Sequence, residues 1–112
     1  MSLTWTAWNN GKHHETGSGY GFKVPIADRD RHFKREWKSV ILEVPVNGGF
    51  AATTVNIDKP SFWNETCHEV INQDIGRWLR ISNLAPWPSR QPPKLTIEVV
   101  GEGHFRVTGV SS

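Results

Sequence analysis

The sequence predicts an α+β fold: a mostly antiparallel, curved sheet or partly open barrel, with one long amphipathic helix packed on it and a second, short helix. Three observations lead there. Apolar runs with period-two alternation recur along the chain, bounded by glycine, proline or Asn-Gly. One stretch, residues 61–80, instead repeats its apolar residues in steps of three and four. The 112 residues contain no repeat and no linker long enough to separate two folding units, so residues 1–112 read as a single domain with chain enough for a real core.

Taken in order, residues 4–8 form a short strand rich in β-formers, closed by the Asn9-Asn10-Gly11 turn. Met1, Ser2 and Leu3 are given no structural weight. In residues 19–24, Tyr20, Phe22 and Val24 share one face of a strand that Pro25 stops. Residues 27–39 suit a short helix capped by Asp28 that buries Phe33 and Trp37. Two apolar runs, 38–46 and 50–57, flank Asn47-Gly48-Gly49. An Asn-Gly pair readily adopts the positive φ angles of a tight turn, so these strands pair antiparallel.

Within residues 61–80, Trp63, Cys67, Val70, Ile71, Ile75, Trp78 and Leu79 line up at about 100° per residue as one apolar stripe. That predicts the long helix, with Asp58 or Ser61 as N-cap, Pro60 at its entry, and Trp63 and Trp78 buried on one face. Pro86, Pro88, Pro92 and Pro93 then forbid helix and leave an extended surface loop carrying Trp87. Residues 94–100 and 104–110 close the chain as a hairpin around Gly101-Glu102-Gly103, Leu95, Ile97 and Val99 facing inward with Phe105 and Val107.

Composition narrows the function classes. With 37% hydrophobic and 21% charged residues the chain suits a globular protein rather than a disordered one. No apolar run approaches the roughly 18 residues of a membrane helix. The lone Cys67 excludes an internal disulfide, and with no apolar signal segment legible at the N-terminus a cytoplasmic location is expected. The net charge of +2 is too small to imply a polyanion partner, but it is unevenly spread: +2 over residues 1–46, −3 over 47–74 and +3 over 75–112. The six tryptophans are many for this length and call for a core or a binding surface to hold them.

Four features carry candidate chemistry. In the first, Gly17, Gly19 and Gly21 are spaced G-x-G-x-G, but a strand rather than a helix follows, so a phosphate loop is not indicated. Beside them, His13 and His14 are weak metal candidates. Adjacent strand residues point apart, and three or four ligands are needed, with Glu15 in reach but His32, His68 and His104 remote in sequence. The plainer reading is an exposed, mobile hairpin loop, and no cofactor is expected.

The second feature is a basic stripe. Arg31, Lys34, Arg35 and Lys38 fall at i, i+3, i+4 and i+7 on the short helix and suit phosphate contacts. Asp28, Asp30 and Glu36 dilute it, Asp30 standing four before Lys34, so a solvated face with local ion pairs is the bland alternative. Third, Trp87 beside Arg90 offers a stacking platform. Fourth, Asp74 falls near the middle of the long helix's apolar stripe, with Asn64 and His68 at its margin. A buried carboxylate needs a partner, and a histidine there would open a proton relay. Cys67 reads as packing.

The leading functional expectation is a non-enzymatic module that binds nucleic acid or another polyanion through Arg31, Lys34, Arg35, Lys38, Trp87 and Arg90. One alternative is a small-ligand pocket or enzyme around Asp74 and His68. Another is a protein-interaction or structural domain using Trp87 and a sheet edge. A second copy is a candidate partner through the terminal strand, which no later element covers.

Overall fold

The computed structural model of the protein describes residues 2–111. Ten elements follow in order: β1 (Ser2–Asn9), β2 (Tyr20–Lys23), α1 (Ile26–His32), β3 (Ser39–Val46), β4 (Gly49–Asn56), α2 (Pro60–Trp63), β5 (Glu69–Ile71), α3 (Gln73–Ile81), β6 (Lys94–Gly101) and β7 (His104–Val110). The strands make one sheet in the order β4-β3-β7-β6-β1-β2-β5. Every neighbouring pair is antiparallel except β3 and β7. The sheet curls into a half-barrel, and its two edge strands approach each other. Asn72, just after β5, donates its side-chain amide to the Thr54 carbonyl on β4 at 3.0 Å.

Both expected hairpins form, although of Asn47 and Gly48 only the glycine takes the positive φ expected of the pair. Val46 pairs with Gly49 across a two-residue turn, and Gly48 takes φ +82°. Gly101 pairs with His104, and Gly103 takes φ +65°. Alternation then fills the concave face. Trp5, Phe22 and Phe105 from the sheet meet Phe33 and Phe62 from the helical segments, with Trp5–Phe105 centroids at 5.3 Å and Phe33 stacked on Phe105 at 4.8 Å. Tyr20, Phe22, Val24, Leu95, Ile97, Phe105 and Val107 are buried as the alternation requires, and Val99 is half-buried. Ser2 and Leu3 belong to β1, which therefore starts earlier than its sequence signal.

The long helix does not exist. Residues 61–80 divide into α2, the short strand β5 and α3. Three residues break the chain between them. The Asn64 side chain accepts the Thr66 and Cys67 backbone N–H groups at 2.9 and 2.7 Å, closing a turn. His68 sits in the left-handed region at φ 44°. Asn72 then caps α3 by accepting the Asp74 N–H at 2.7 Å. The β-branched pair Val70-Ile71 prefers the strand this allows, pairing with Phe22 and Gly21. Trp63 and Trp78 consequently lie on different helices. Trp78 is buried at 8% exposure, whereas Trp63 is half-buried and Cys67 lies partly exposed in the connecting turn.

Helix α1 is also shorter than expected, and Pro25, not Asp28, precedes it without a side-chain cap. It ends because Phe33 turns extended to reach the core between Phe62 and Phe105. Finally, β7 is an interior strand between β3 and β6, so the open edges belong to β4 and β5 and not to the terminal strand.

Candidate functional site

A cleft of about 890 Å3 lies between the β3–β4 hairpin and α3. Its origin is a mismatch in reach. The first turn of α3 is tied to the far half of β4, through Asn72 to Thr54 and through the Thr53 hydroxyl, which donates to Asp74 at 2.9 Å. Further along α3, the Trp78 indole N–H donates to the Pro45 carbonyl at 2.9 Å and closes the floor. The hairpin tip runs on past both ties. Between tip and helix an apolar floor is left, with Val46, Ala51, Trp78 and Ile81 lining it and Asp74 and Arg77 at one end. Ile81 is 81% exposed and Val46 48%, so the apolar floor reaches solvent.

One wall of this cleft is a free backbone edge. A two-residue hairpin closes on a hydrogen-bonded pair, here Val46 and Gly49, so Ala51, Thr53 and Val55 also bond β3. The intervening Phe50, Ala52 and Thr54 turn their N–H and C=O groups the other way. The Thr54 carbonyl is the one that Asn72 fills. Ala52 points its side chain to the convex face yet lines the cleft, so it contributes its backbone edge. No residue of β4 is charged or a proline, the usual devices that blunt an edge strand.

The polar end is preassembled. Asp74 accepts Arg77 Nη1 at 3.1 Å on one oxygen and the Thr53 hydroxyl on the other. This places a carboxylate in the first turn of α3, where the helix dipole favours it. Arg77 uses one of its five N–H groups in that bond, leaving the rest of its fork for a ligand. Asp74 is therefore a surface residue with a 53% exposed side chain, not the buried centre of an apolar stripe. His68 is elsewhere: it is buried, its backbone N–H bonds Ser61 and its ring nitrogen Nδ1 bonds the Val24 carbonyl. No hydrogen bond joins His68 to Asp74, and the relay geometry is not formed.

The expected basic stripe is dispersed. Arg31 is on α1, but Lys34, Arg35 and Lys38 follow its end. Lys34 pairs with Glu102 at 3.1 Å rather than with Asp30, which pairs with Arg29. Arg35 lies over the Trp63 ring at 4.9 Å. Sequence reasoning passed over the most embedded cation nearby. Arg29, 5% exposed, donates to the Phe62 and Asn64 carbonyls at 3.0 and 2.6 Å, satisfying carbonyls that the end of α2 leaves free.

Trp87 and Arg90 stand at the opposite end of the molecule from that segment. Strand β1 runs from Ser2, beside Glu98, to Thr6, beside Lys94. Lys34 and the β6–β7 turn lie beyond the first of these positions, and the proline-rich loop beyond the second. There the loop folds onto the β1–β2 connection, and Trp87 and Arg90 line a pocket of about 350 Å3 together with Trp8 and His13. That connection is docked rather than free. Gly17 lies against Gly76 of α3 so closely that a Cβ on Gly76 would sit 2.0 Å from the Gly17 carbonyl oxygen. Gln73 donates to the Thr16 carbonyl and Arg80 to that of His13. His13 bonds the Tyr20 hydroxyl at 2.7 Å, and His14 is exposed. Among the described residues no three His, Cys, Asp or Glu side chains gather closely enough to hold a metal ion.

Among the described residues two groups, Glu43 and Lys59, have displaced pKa values, and neither lines the cleft. On the convex face the Arg106 guanidinium holds the Glu43 carboxyl below the usual range, aided by His104 and opposed by partial burial. Burial lowers the Lys59 ammonium against the pull of Glu69 and Cys67. Among the described residues no helix is long and apolar enough to cross a membrane. No protein-family model, curated protein or solved structure matches the chain.

Proposed function

We propose that this protein is a binding module that takes an extended peptide segment into the cleft between β4 and α3, adding it as a strand to the open edge. The observation that carries this reading is the unpartnered edge of β4, where Ala52 stands at the wall of an 890 Å3 cleft and Phe50 continues the same edge toward the hairpin tip. Strand addition draws affinity from main-chain hydrogen bonds and specificity from pockets for alternate side chains. The floor of Val46, Ala51, Trp78 and Ile81 suits aliphatic side chains. Arg77, oriented by Asp74, suits an acidic residue at one end of the segment. The cleft's size fits the usual range of about 300–1,000 Å3 for ligand sites.

Selection of displayed random peptides against the protein tests this. Enriched sequences are expected to alternate aliphatic residues and to carry an aspartate or glutamate. Ala52→Pro deletes an N–H that points away from β3, so it leaves the hairpin ladder intact and removes one bond to the guest. Selected peptides should bind Ala52→Pro about two- to tenfold more weakly, the scale of one backbone bond lost, and Arg77→Glu at least about tenfold more weakly, the scale of a charge-assisted one. Peptides that bind the wild type and Ala52→Pro equally would defeat the proposal. So would a protein that uses the same edge to pair with a second copy, seen as a dimer that Ala52→Pro converts to monomer.

A further inference from the structure

We infer a second binding site, independent of the groove, in the pocket of Trp8, Asn9, His13, Trp87, Ser89 and Arg90. Its ligand is a flat heteroaromatic ring joined to a phosphate, the repeating unit of single-stranded nucleic acid. The pocket is about 350 Å3, within the usual range of about 300–1,000 Å3 for small-ligand sites.

The aromatic wall is built before any ligand arrives. Trp87 stands nearly perpendicular to His13, centroids 4.8 Å apart at 86°, and to Tyr20 at 5.7 Å and 70°. His13 is held by the Tyr20 hydroxyl at 2.7 Å, and Arg80 donates to that same hydroxyl and to the His13 carbonyl, each at 3.4 Å. Asn9 fixes the loop by donating to the Lys12 carbonyl at 2.9 Å. Ring positions fixed this way lower the ordering cost of binding. The second indole, Trp8, follows the buried Ala7 and points to the opposite face of β1. Its cross-strand partner is Gly21, which has no side chain to cover it. Both indoles stay partly exposed although each sits where burial would be favourable.

The charge around this wall is one-sided. Arg90 lines the pocket, in a left-handed backbone (φ 63°) that non-glycine residues seldom adopt. Lys12 and Lys94 are exposed on the two segments that form it. Residues 8–20 and 84–94 contain one carboxylate between them, Glu15. Base stacking on aromatic side chains beside a cationic track is how single strands are held without sequence readout. A duplex keeps its rings stacked and paired and offers this pocket none.

The test is fluorescence anisotropy of a labelled short oligothymidylate at low salt, with thymidine monophosphate and a duplex as further arms. The single strand is expected to bind, to weaken as salt rises, and to bind at least about tenfold tighter than the duplex. Mononucleotide binding equal to that of the strand would assign the pocket to free nucleotides, and weaker binding would assign it to strands. Trp87→Ala should weaken binding about tenfold or more and Arg90→Gln about fivefold. Arg90 is exposed, so its variant decides the matter if Trp87→Ala fails to fold. Replacing Arg31, Lys34 and Lys38 together by glutamine, at the other end of the sheet, should leave binding within about twofold. No binding of either strand or mononucleotide overturns the inference, as does binding that the triple variant abolishes and Arg90→Gln leaves unchanged. Ala52→Pro should not affect this binding, which keeps the outcome separate from that of the groove.

Discussion

The Thr53 hydroxyl and the Asp74 carboxylate meet at 2.9 Å, joining the edge strand β4 to the first turn of α3. This bond and the amide of Asn72 on Thr54 are what keep the half-barrel's two ends together at this point. They also fix where the cleft begins. Beyond Thr53 toward the hairpin tip, β4 has no partner on its outer edge, and the space beside it opens.

Asp74 shapes the cleft and contributes little to stability. Its side chain is 53% exposed and that of Arg77 58%, so water screens the pair. Asp74→Ala is expected to lower the unfolding free energy by about 1 kcal/mol, from the exposed Thr53 bond, the surface pair and the helix dipole together. Urea denaturation measures it. A loss of several kcal/mol would mean that the carboxylate is buried after all.

Gly76 is expected to be far less tolerant. A helix glycine replaced by alanine normally gains stability, by up to about 1 kcal/mol. At Gly76 the new Cβ would lie 2.0 Å from the Gly17 carbonyl, a backbone atom that a side-chain adjustment cannot relieve. The substitution should instead cost about 1–3 kcal/mol, the range for overpacking. Hydrogen exchange should show residues 12–19 opening more often in this variant.

The hairpins were legible in the sequence and the groove was not, for a common reason. Asn47-Gly48 and Gly103 act on the residues next to them, and alternation then decides which side chains turn inward. The cleft joins β4 to α3 across about twenty residues, and Trp87 meets His13 across more than seventy, so no local pattern announces either. In residues 61–80, Trp63, Val70 and Trp78 keep helical spacing although they serve three elements. The breakers were present as Asn64 and Asn72. An asparagine is compatible with a helix interior, and its side chain ends one only when it captures backbone N–H groups, as both do here. The same two residues displaced Asp74 from its expected interior position. On α1, the stripe from Arg31 to Lys38 required the helix to pass Phe33, and burial of that ring prevented it.

The tryptophans of the former stripe should now separate. Trp78 is buried and its indole N–H bonds the Pro45 carbonyl. Trp78→Ala is expected to cost about 3–5 kcal/mol. Trp63 is half-buried under Arg35, with its own bond to the Ile57 carbonyl, and Trp63→Ala should cost clearly less. Equal losses in thermal melts would contradict their placement on separate elements.

Acid should remove the contribution of Glu43. Arg106 lowers its folded-state pKa, with His104 beside it and Glu98 paired across from Arg106. A carboxyl with a lowered folded pKa stabilises the fold above its unfolded pKa, and that contribution is lost as pH falls through the folded value. Wild type should therefore melt above Glu43→Gln at neutral pH, with the gap closing as pH drops through and below the ordinary carboxylate range. A gap that widened on acidification would reverse the sign and refute the assignment.

The most direct test of the groove is residue-resolved amide exchange with and without a selected peptide. Alternation along β4 makes the expected pattern specific. Ala51 and Thr53, bonded to β3, should be protected in both states, whereas Phe50 and Ala52 should exchange fast in the free protein and slowly in the complex. Protection that fell elsewhere, with Phe50 and Ala52 still exchanging fast in a saturated complex, would contradict strand addition at this edge.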